Sequence, residues 1–561
     1  MLKKAIIFLF ICTLMLSFNA LAKLPPGWDH LKPFPNVWFT PSDFGQLPQT
    51  DVIPDDTVNV RLNSDQSGQI QNEQQVWINP ANADNVVAVW RDFREGYRRV
   101  GVGYSMDGGL TWHDELFPVD LLPRHSDPCL TYDVEGNFYA MVLSFEFDSY
   151  NGFEVFKSSD GGITWSDPTW AIYSDPDVFE DKEMFTCDRA PDSPYQGNLY
   201  CAWTRFSENM QRTDVAFIKS EDGNQSWEPE IVISDFTTLQ WPLPVVGAGG
   251  IVYVAWVSFM FSELHLDRSF DGGDSWGTDI KITDVSTPYT VLNGDISTFP
   301  YPAMDADITG GQYHGNLYLA YMDWTQYDFD IYFRKSDDQG DTWSSPERIN
   351  DDEYNTGCDQ FHPWLTVDEN GVITVMFYDR RDDDWNLEYH IYLTQSFDGG
   401  ETWTENIRVT TVPSDPTSGG DILAGLIGEY SGVAVKNGVA NLVWTDFRNG
   451  DQDTYGARIP TYTVSGVEDE TPVPRQTLLI SNYPNPFNST TSIRFNVPER
   501  ANVELTAYDL TGRKVGDIAK RDFMPGYHSI NWSPEELSSG IYLIRLKTDA
   551  GVSTRKTVYL K

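Results

Sequence analysis

One eight-residue pattern, Ser-x-Asp-x-Gly-x-x-Trp, recurs six times along this 561-residue chain and limits its architecture more than any other feature. The copies run Ser105–Trp112, Ser158–Trp165, Ser220–Trp227, Ser269–Trp276, Ser336–Trp343 and Ser396–Trp403. Only the third departs, with Asn224 where the others have glycine. A glycine there permits a positive backbone dihedral of the kind a hairpin turn needs, and asparagine is the next most tolerant residue. The aspartate can accept bonds from amides inside the turn, while the tryptophan covers it with apolar area. Each copy therefore predicts a stapled hairpin.

The flanking segments repeat as well. Runs such as Asn85-Val86-Val87-Ala88-Val89-Trp90 and Asn316-Leu317-Tyr318-Leu319-Ala320-Tyr321 precede each staple and read as strands, rich in β-branched and aromatic residues. A further strand comes before each run and another after each staple. Four short strands per unit, with 49 to 67 residues between successive staple tryptophans, mark propeller blades. A seventh unit follows without a staple, over Tyr430–Ile459, and lacks its outer strand. Val58-Asn59-Val60-Arg61-Leu62-Asn63 is expected to supply that strand and close the ring. The predicted class is all-β: a seven-bladed β-propeller, with six blades as the alternative, followed by a small β-sandwich.

Five segments are expected. Residues 1–22 read as a secretory signal, with Lys3 and Lys4 before an apolar run and small residues around Ala20 and Ala22. Residues 23–54 form an N-terminal extension and 55–460 the propeller. Residues 461–477 are a polar, proline-containing linker, and 478–561 the terminal sandwich. No other apolar run reaches 18 residues, so no transmembrane anchor is expected. The chain has 83 Asp+Glu against 39 Lys+Arg, and more than the whole excess lies in 23–477. Such a field repels phosphate and argues against nucleic acid and anionic membranes. Four cysteines remain after the signal, too few for a disulfide scaffold. Cys187 and Cys201 flank a turn-like segment, leaving a bridge between neighbouring strands or buried free thiols as alternatives.

Residues 478–561 resemble the type A C-terminal sorting domain of the type IX secretion system. The resemblance rests on Asn485-Pro486-Phe487-Asn488, Asp509-Leu510-Thr511-Gly512-Arg513, Leu537-Ser538-Ser539-Gly540-Ile541-Tyr542 and a basic final strand. It implies export by that machinery, then release or attachment to the outer cell surface. The six staples resemble the Asp boxes, or bacterial neuraminidase repeats, of sialidase-like propellers. That resemblance implies the fold, and in it the staple aspartates lie away from the entrance.

Sialidases use a tyrosine nucleophile beside a glutamate, an aspartic acid/base and three arginines that grip a carboxylate. Glu429-Tyr430 at the start of the last unit is the best local match to the first pair, although adjacent strand residues point to opposite faces. The ends of second strands carry Arg91, Asp92, Arg205, Asp379, Arg380, Asp446 and Arg448, and three units share Asp-x-Arg. Those arginines either bind a ligand at the mouth or tie blades together through ion pairs. Asp379 is the tentative third catalytic residue, while His125-Ser126-Asp127, Asp181-Lys182-Glu183 and Asp359-Gln360-Phe361-His362 are equal acid/base candidates. Trp241 and His362, with Tyr301, Phe361 and Trp364, could form a sugar-stacking floor. No cofactor is expected. Calcium around Arg380-Arg381-Asp382-Asp383-Asp384 is an unassigned alternative to a solvated charged turn.

The sialidase motif Phe/Tyr-Arg-Ile-Pro is missing, and seven units exceed the sialidase six. Two functions therefore stay open: recognition, with or without hydrolysis, of an extracellular glycan at the mouth, and a non-catalytic cell-surface or matrix interaction propeller. An enzyme would be a glycoside hydrolase of sialidase-like type.

Overall fold

The computed structural model describes residues 59–561 except 147–148, 208–210, 289, 326, 419–426, 462–477, 484, 498–500, 524–525, 535–536 and 549–550. The expected signal, the N-terminal extension and all of the linker but Thr461 lie outside the described residues.

From Asn59 to Pro460 the chain forms seven four-stranded antiparallel sheets, joined by a small two-stranded ribbon between the fourth and fifth. The first sheet has strands Gln71–Asn79, Asn82–Asp92, Arg99–Ser105 and His113–Leu116. The first strands of the other six are Arg124–Tyr132, Phe179–Cys187, Leu239–Val246, Ala303–Ala306, Gln360–Val367 and Gly432–Lys436. Each of these first strands touches the next, and the seventh returns to the first. The last sheet takes its outer strand from Asn59–Arg61, which pairs Asn59 with Ala457 and Arg61 with Tyr455. Asn63 locks that closure: it donates to Asp453 Oδ1 at 2.9 Å and accepts from the Thr454 amide at 2.9 Å. Closure leaves no sheet between two free neighbours.

Second strands read as continuous apolar runs because sheets pack against both of their faces. Trp90, Trp203, Trp256 and Trp444 are fully buried there. The staples act between sheets as well as within turns. Asp107 Oδ1 accepts the Thr111 amide at 2.9 Å and Oδ2 the Thr111 hydroxyl at 2.6 Å, while Trp112 Nε1 donates to the Gly109 carbonyl at 3.1 Å. Gly273 has φ +92°, and a Cβ there would sit 2.7 Å from the Phe217 ring of the preceding sheet, so that place needs glycine on two counts. Asn224 compensates for its own lapse. Its Oδ1 accepts from Trp227 Nε1 at 2.9 Å, and its Nδ2 reaches Val155 O of the preceding sheet at 3.1 Å. Three staple tryptophans pack on aromatics of the sheet before them: Trp165 on Phe117, Trp403 on Phe333, and Trp276 on Phe217 at 4.7 Å.

The four cysteines among the described residues are buried free thiols. Cys187 pairs across the ladder with Leu199 and Cys201 with Phe185, so the suggested bridge partners are out of register.

The described residues from Leu478 to Lys561 belong to a second compact unit. A three-stranded sheet (Leu478–Tyr483, Thr491–Val497, Gly526–Trp532) and a four-stranded one (Lys514–Phe523, Ala501–Asp509, Gly540–Thr548, Gly551–Tyr559) share a core that includes Phe495, Val503, Leu505, Ile544 and Leu546. Asp509 Oδ1 accepts the amides of Thr511 and Arg513, each at 3.0 Å, which closes the turn anticipated in the Asp-Leu-Thr-Gly-Arg segment.

Candidate functional site

First strands begin, and second strands end, at one end of the ring, as the pairing of Gln71 with Asp92 and Gln360 with Asp379 shows. Five first strands carry a β-bulge within their first few residues. Each bulge holds a non-glycine residue at positive φ: Glu73 (58°), Asp127 (49°), Lys182 (57°), Trp241 (53°) and His362 (47°). Such a conformation costs on the order of 1 kcal/mol per residue and re-aims the side chain, and both features concentrate at functional sites.

Three of these residues converge with Glu429. Lys182 Nζ lies 3.0 Å from Asp127 Oδ2 and 3.8 Å from Glu73 Oε1, and it also contacts the Glu429 carboxylate. Arg91 Nη1 pairs with Glu73 Oε1 at 2.7 Å while its Nε donates to Asn72 Oδ1 at 2.8 Å. Burial pushes the Glu73 carboxyl up to about 7, against the pull of Arg91 and with the added push of Asp127. Asp127, equally enclosed, is held well below the usual carboxylate range; the charges of Lys182 and Arg91 overcome its burial. Burial and then the Asp127 charge drive Asp181 up to about 8. Glu183 is fully buried with neither oxygen hydrogen-bonded, and burial raises it well above the usual range.

Beside this charge cluster lies a small cleft, lined by Lys182, Met184, Trp241, Pro242, Leu243, Tyr301, Pro302, Trp364, Glu429 and Tyr430. Glu429 is its only carboxylate, and Trp241 Nε1 donates to Glu429 Oε2 at 3.4 Å. The cleft pairs apolar walls, four of them aromatic, with one anion–cation head.

Residues 197–430 match the BNR repeat-like domain, and residues 481–560 match the secretion system C-terminal sorting domain. The chain carries a BNR repeat-like domain and a secretion-system sorting tail. It is accordingly secreted or attached to the cell surface, and no helix among the described residues is long and apolar enough to cross a membrane. Solved structures similar to it include the Hadza microbial sialidase Hz136, at 14% identity over 74% of this chain and 70% of that one, TM-score 0.42. An α-L-arabinanase of Penicillium chrysogenum has 13% identity, 72% and 98% coverage and TM-score 0.41. A protein of unknown function from Dyadobacter fermentans has 12% identity, 72% and 98% coverage and TM-score 0.41. No curated protein matches the chain in sequence.

The residues expected at the mouth of this BNR repeat-like ring divide into two groups. Glu429, Tyr430, Trp241 and Arg91 belong to the cleft or its charge cluster. The Asp-x-Arg pairs do not. Asp92 holds Arg94 at 2.7 Å and accepts from Trp90 Nε1 at 2.8 Å; Asp446 holds Arg448 at 2.7 Å and accepts from Trp444 Nε1 at 2.9 Å. Asp379 is fully buried, accepts from Arg381 Nε at 2.8 Å and has no face toward a ligand. The same carboxylate-to-tryptophan device recurs with Glu180, which binds Arg205 at 2.8 Å and Trp203 Nε1 at 2.5 Å.

Arg205, Arg380 and Arg448 are thus engaged elsewhere. Arg380 is fully buried and donates to Asn386 O at 3.0 Å and Asn293 O at 2.7 Å. His362 is buried among Tyr301, Phe361 and Tyr378, and burial lowers it to about 3, so it is a neutral packing residue. Tyr430 donates its hydroxyl to Pro128 O at 3.0 Å, and burial followed by the charges of Glu73 and Asp127 raises its phenol well above the usual value, the reverse of an activated nucleophile. Among the described residues no group of three or more His, Cys, Asp or Glu is placed to hold a metal ion.

Glu73 and the ammonium of Lys182 are the residues that sequence reasoning missed. Aligning Asn72-Glu73-Gln74-Gln75 with Ser126-Asp127-Pro128-Cys129 and Asp181-Lys182-Glu183-Met184 by their distance to the following strand would have found both.

Proposed function

We propose that the protein is an exported seven-bladed propeller with a terminal sandwich that serves export, and that it recognises a neutral extracellular glycan in the cleft of its ring. The observation that carries this reading is the Glu429–Lys182 head set among Trp241, Tyr301 and Trp364. Sugar hydroxyls suit the charged head and the C–H faces of a sugar ring suit the aromatic walls. The engagement of Arg91, Arg205, Arg380 and Arg448 with protein partners argues against a carboxylate grip of the sialidase kind. The acidic body argues the same way.

Hydrolysis is the second reading, and one observation favours it. Glu73, raised to about 7, and Asp127, held low, stand around one ammonium, and environments that push two carboxyls apart are the usual basis for acid and base roles. In that case Glu429 is the carboxyl positioned to meet a glycosidic oxygen, because it alone of the three lines the cleft.

The test is a panel of neutral and sialylated oligosaccharides assayed for binding and cleavage with the parent protein and Glu429→Gln. Binding of neutral members, weakened at least tenfold by the substitution, is the expected result. Selective binding of sialylated members, or no effect of Glu429→Gln, would overturn the reading. Cleavage that survives Tyr430→Phe and fails in Glu429→Gln would establish the hydrolytic form.

A further inference from the structure

Tyr327, Trp385 and Tyr354 are the three most exposed aromatic side chains among the described residues, at 80%, 67% and 61%. All three stand at the cleft end of the ring, on adjacent connections. Tyr327 lies in the turn between the second and third strands of the fifth sheet, Leu317–Thr325 and Asp328–Ser336. Tyr354 lies in the segment that leads from the fifth sheet to the sixth, and Trp385 in the connection between the sixth sheet's strands Ile373–Asp379 and His390–Ser396.

These side chains are displayed by a built scaffold. Tyr327 has φ +91°, a conformation that glycine or asparagine would adopt at lower cost, yet the position carries a large ring turned to solvent. The loop bearing Trp385 is fastened from beneath. Asp383 Oδ1 accepts the Trp385 amide at 3.1 Å and Oδ2 the amides of Leu387 and Glu388, each at 2.8 Å. Buried Arg380 holds the loop carbonyl of Asn386. Asp359 then joins the neighbouring connections. It accepts the Phe329 amide at 3.1 Å and Asn386 Nδ2 at 2.7 Å, and Asn386 Oδ1 accepts the Asp359 amide at 2.8 Å. Asp328 Oδ2 accepts the Gly357 amide at 3.0 Å, tying the Tyr327 turn to the Tyr354 segment. Arg348, paired with Asp330 at 2.5 Å and Asp352 at 2.7 Å, stacks on the Tyr354 ring at 4.4 Å.

Exposed apolar rings on pre-organised loops contribute little to folding, and together they form a surface that binding can use. We propose that Tyr327, Tyr354 and Trp385 form a stacking platform for the sugar rings of a neutral polysaccharide whose end or branch occupies the cleft. This inference rests on the glycan reading above and extends it from a single sugar to a polymer. A neutral polymer is favoured by the charge of the sequence around the rings: Asp351, Asp352, Glu353, Asp382, Asp383 and Asp384 outnumber Arg348, Arg380 and Arg381, and the resulting field repels anionic sugars and anionic lipid.

The experiment measures retention of the full-length protein on insoluble β-glucan, arabinan and galactan, and on phosphatidylcholine vesicles, beside its affinity for short oligosaccharides from the same polymers. At least one polysaccharide should retain the parent, and Tyr327→Ala/Trp385→Ala should weaken retention tenfold or more while affinity for the short oligosaccharides stays within twofold. Glu429→Gln should show the opposite split. A double variant retained like the parent, a parent retained by no polysaccharide, or ring-dependent binding to vesicles in place of polysaccharide would each overturn the proposal. If Glu429→Gln loses oligosaccharide binding while the double variant is retained on polysaccharide like the parent, the cleft reading stands and the platform fails. Because the rings are exposed, an unchanged unfolding midpoint of the double variant verifies the fold.

Discussion

Replacing Lys182 by methionine keeps the length and most of the apolar volume of the side chain while removing the charge that three carboxylates share. At an effective dielectric constant of about 20, unit charges at the 3.0 Å separation from Asp127 attract by about 5 kcal/mol, and those at the 3.8 Å separation from Glu73 by about 4 kcal/mol. The contact with Glu429 adds to this. Desolvation of the ammonium offsets much of the sum, and the measured outcome of breaking a buried pair from one side is about 3–5 kcal/mol. A loss in that range is expected at pH 8.

The pH dependence is the sharper part of the prediction. In the parent, Lys182 and Arg91 hold the Asp127 pKa well below its ordinary value, so Asp127 favours the folded state above that value. Without Lys182 its folded pKa rises, the folded protein must take up a proton, and stability falls as pH increases through the new value. The destabilisation should therefore shrink toward pH 5. Urea unfolding of the full chain followed by tryptophan fluorescence at pH 5 and pH 8 measures it, and Lys182→Met/Asp127→Asn should recover about half of the loss. A loss below about 1 kcal/mol at pH 8, with the parent's own pH dependence, would refute the view of Lys182 as the hub of the site.

Glu73→Gln should flatten a different slope. Its folded carboxyl sits near 7 against an ordinary 4.5, so it contributes stability that is fully present below 4.5 and lost as pH rises to 7, about 3 kcal/mol in all; parallel unfolding curves at pH 5 and 7 check this. Gly273→Ala should cost about 2–4 kcal/mol, combining a left-handed alanine with a Cβ 2.7 Å from the Phe217 ring, and a loss under 0.5 kcal/mol by urea unfolding would contradict the inter-sheet role of the staple. Deleting residues 478–561 should leave the protein inside the outer membrane, as fractionation and surface labelling of cells would show.

The periodic parts of the molecule were legible from sequence because one physical problem is solved repeatedly. Six of the seven sheets turn a stapled hairpin and dock it on a neighbour, and the pattern of Ser105, Asp107, Gly109 and Trp112 recurs as the answer, with Asn224 replacing the glycine once. Ring closure was legible for a related reason: a unit short of one strand and a strand short of a unit imply each other, and Asn59–Arg61 fills the gap. The site was less legible because it depends on places where periodicity breaks. A bulge at Glu73 or Lys182 changes the facing of one residue without altering composition, so a period of two cannot reveal where such side chains point. For Asp-x-Arg the structure decides between the two readings: a motif that recurs in three sheets serves a need common to them, fastening the end of the second strand and, at Asp92 and Asp446, its tryptophan as well.

That contrast supplies a rule for reading the ring. A residue that performs the same task in several sheets belongs to the scaffold, whereas function resides where equivalent positions carry different chemistry. The five bulged positions are glutamate, aspartate, lysine, tryptophan and histidine, held in one strained backbone conformation. Four of them, Glu73, Asp127, Lys182 and Trp241, gather around Glu429 at the cleft or its charge cluster, whereas the fifth, His362, packs among Tyr301, Phe361 and Tyr378. The glycan proposal draws on the acidic and aromatic choices at the first four positions, and the proposed platform on the fifth and sixth sheets extends it outward from the cleft.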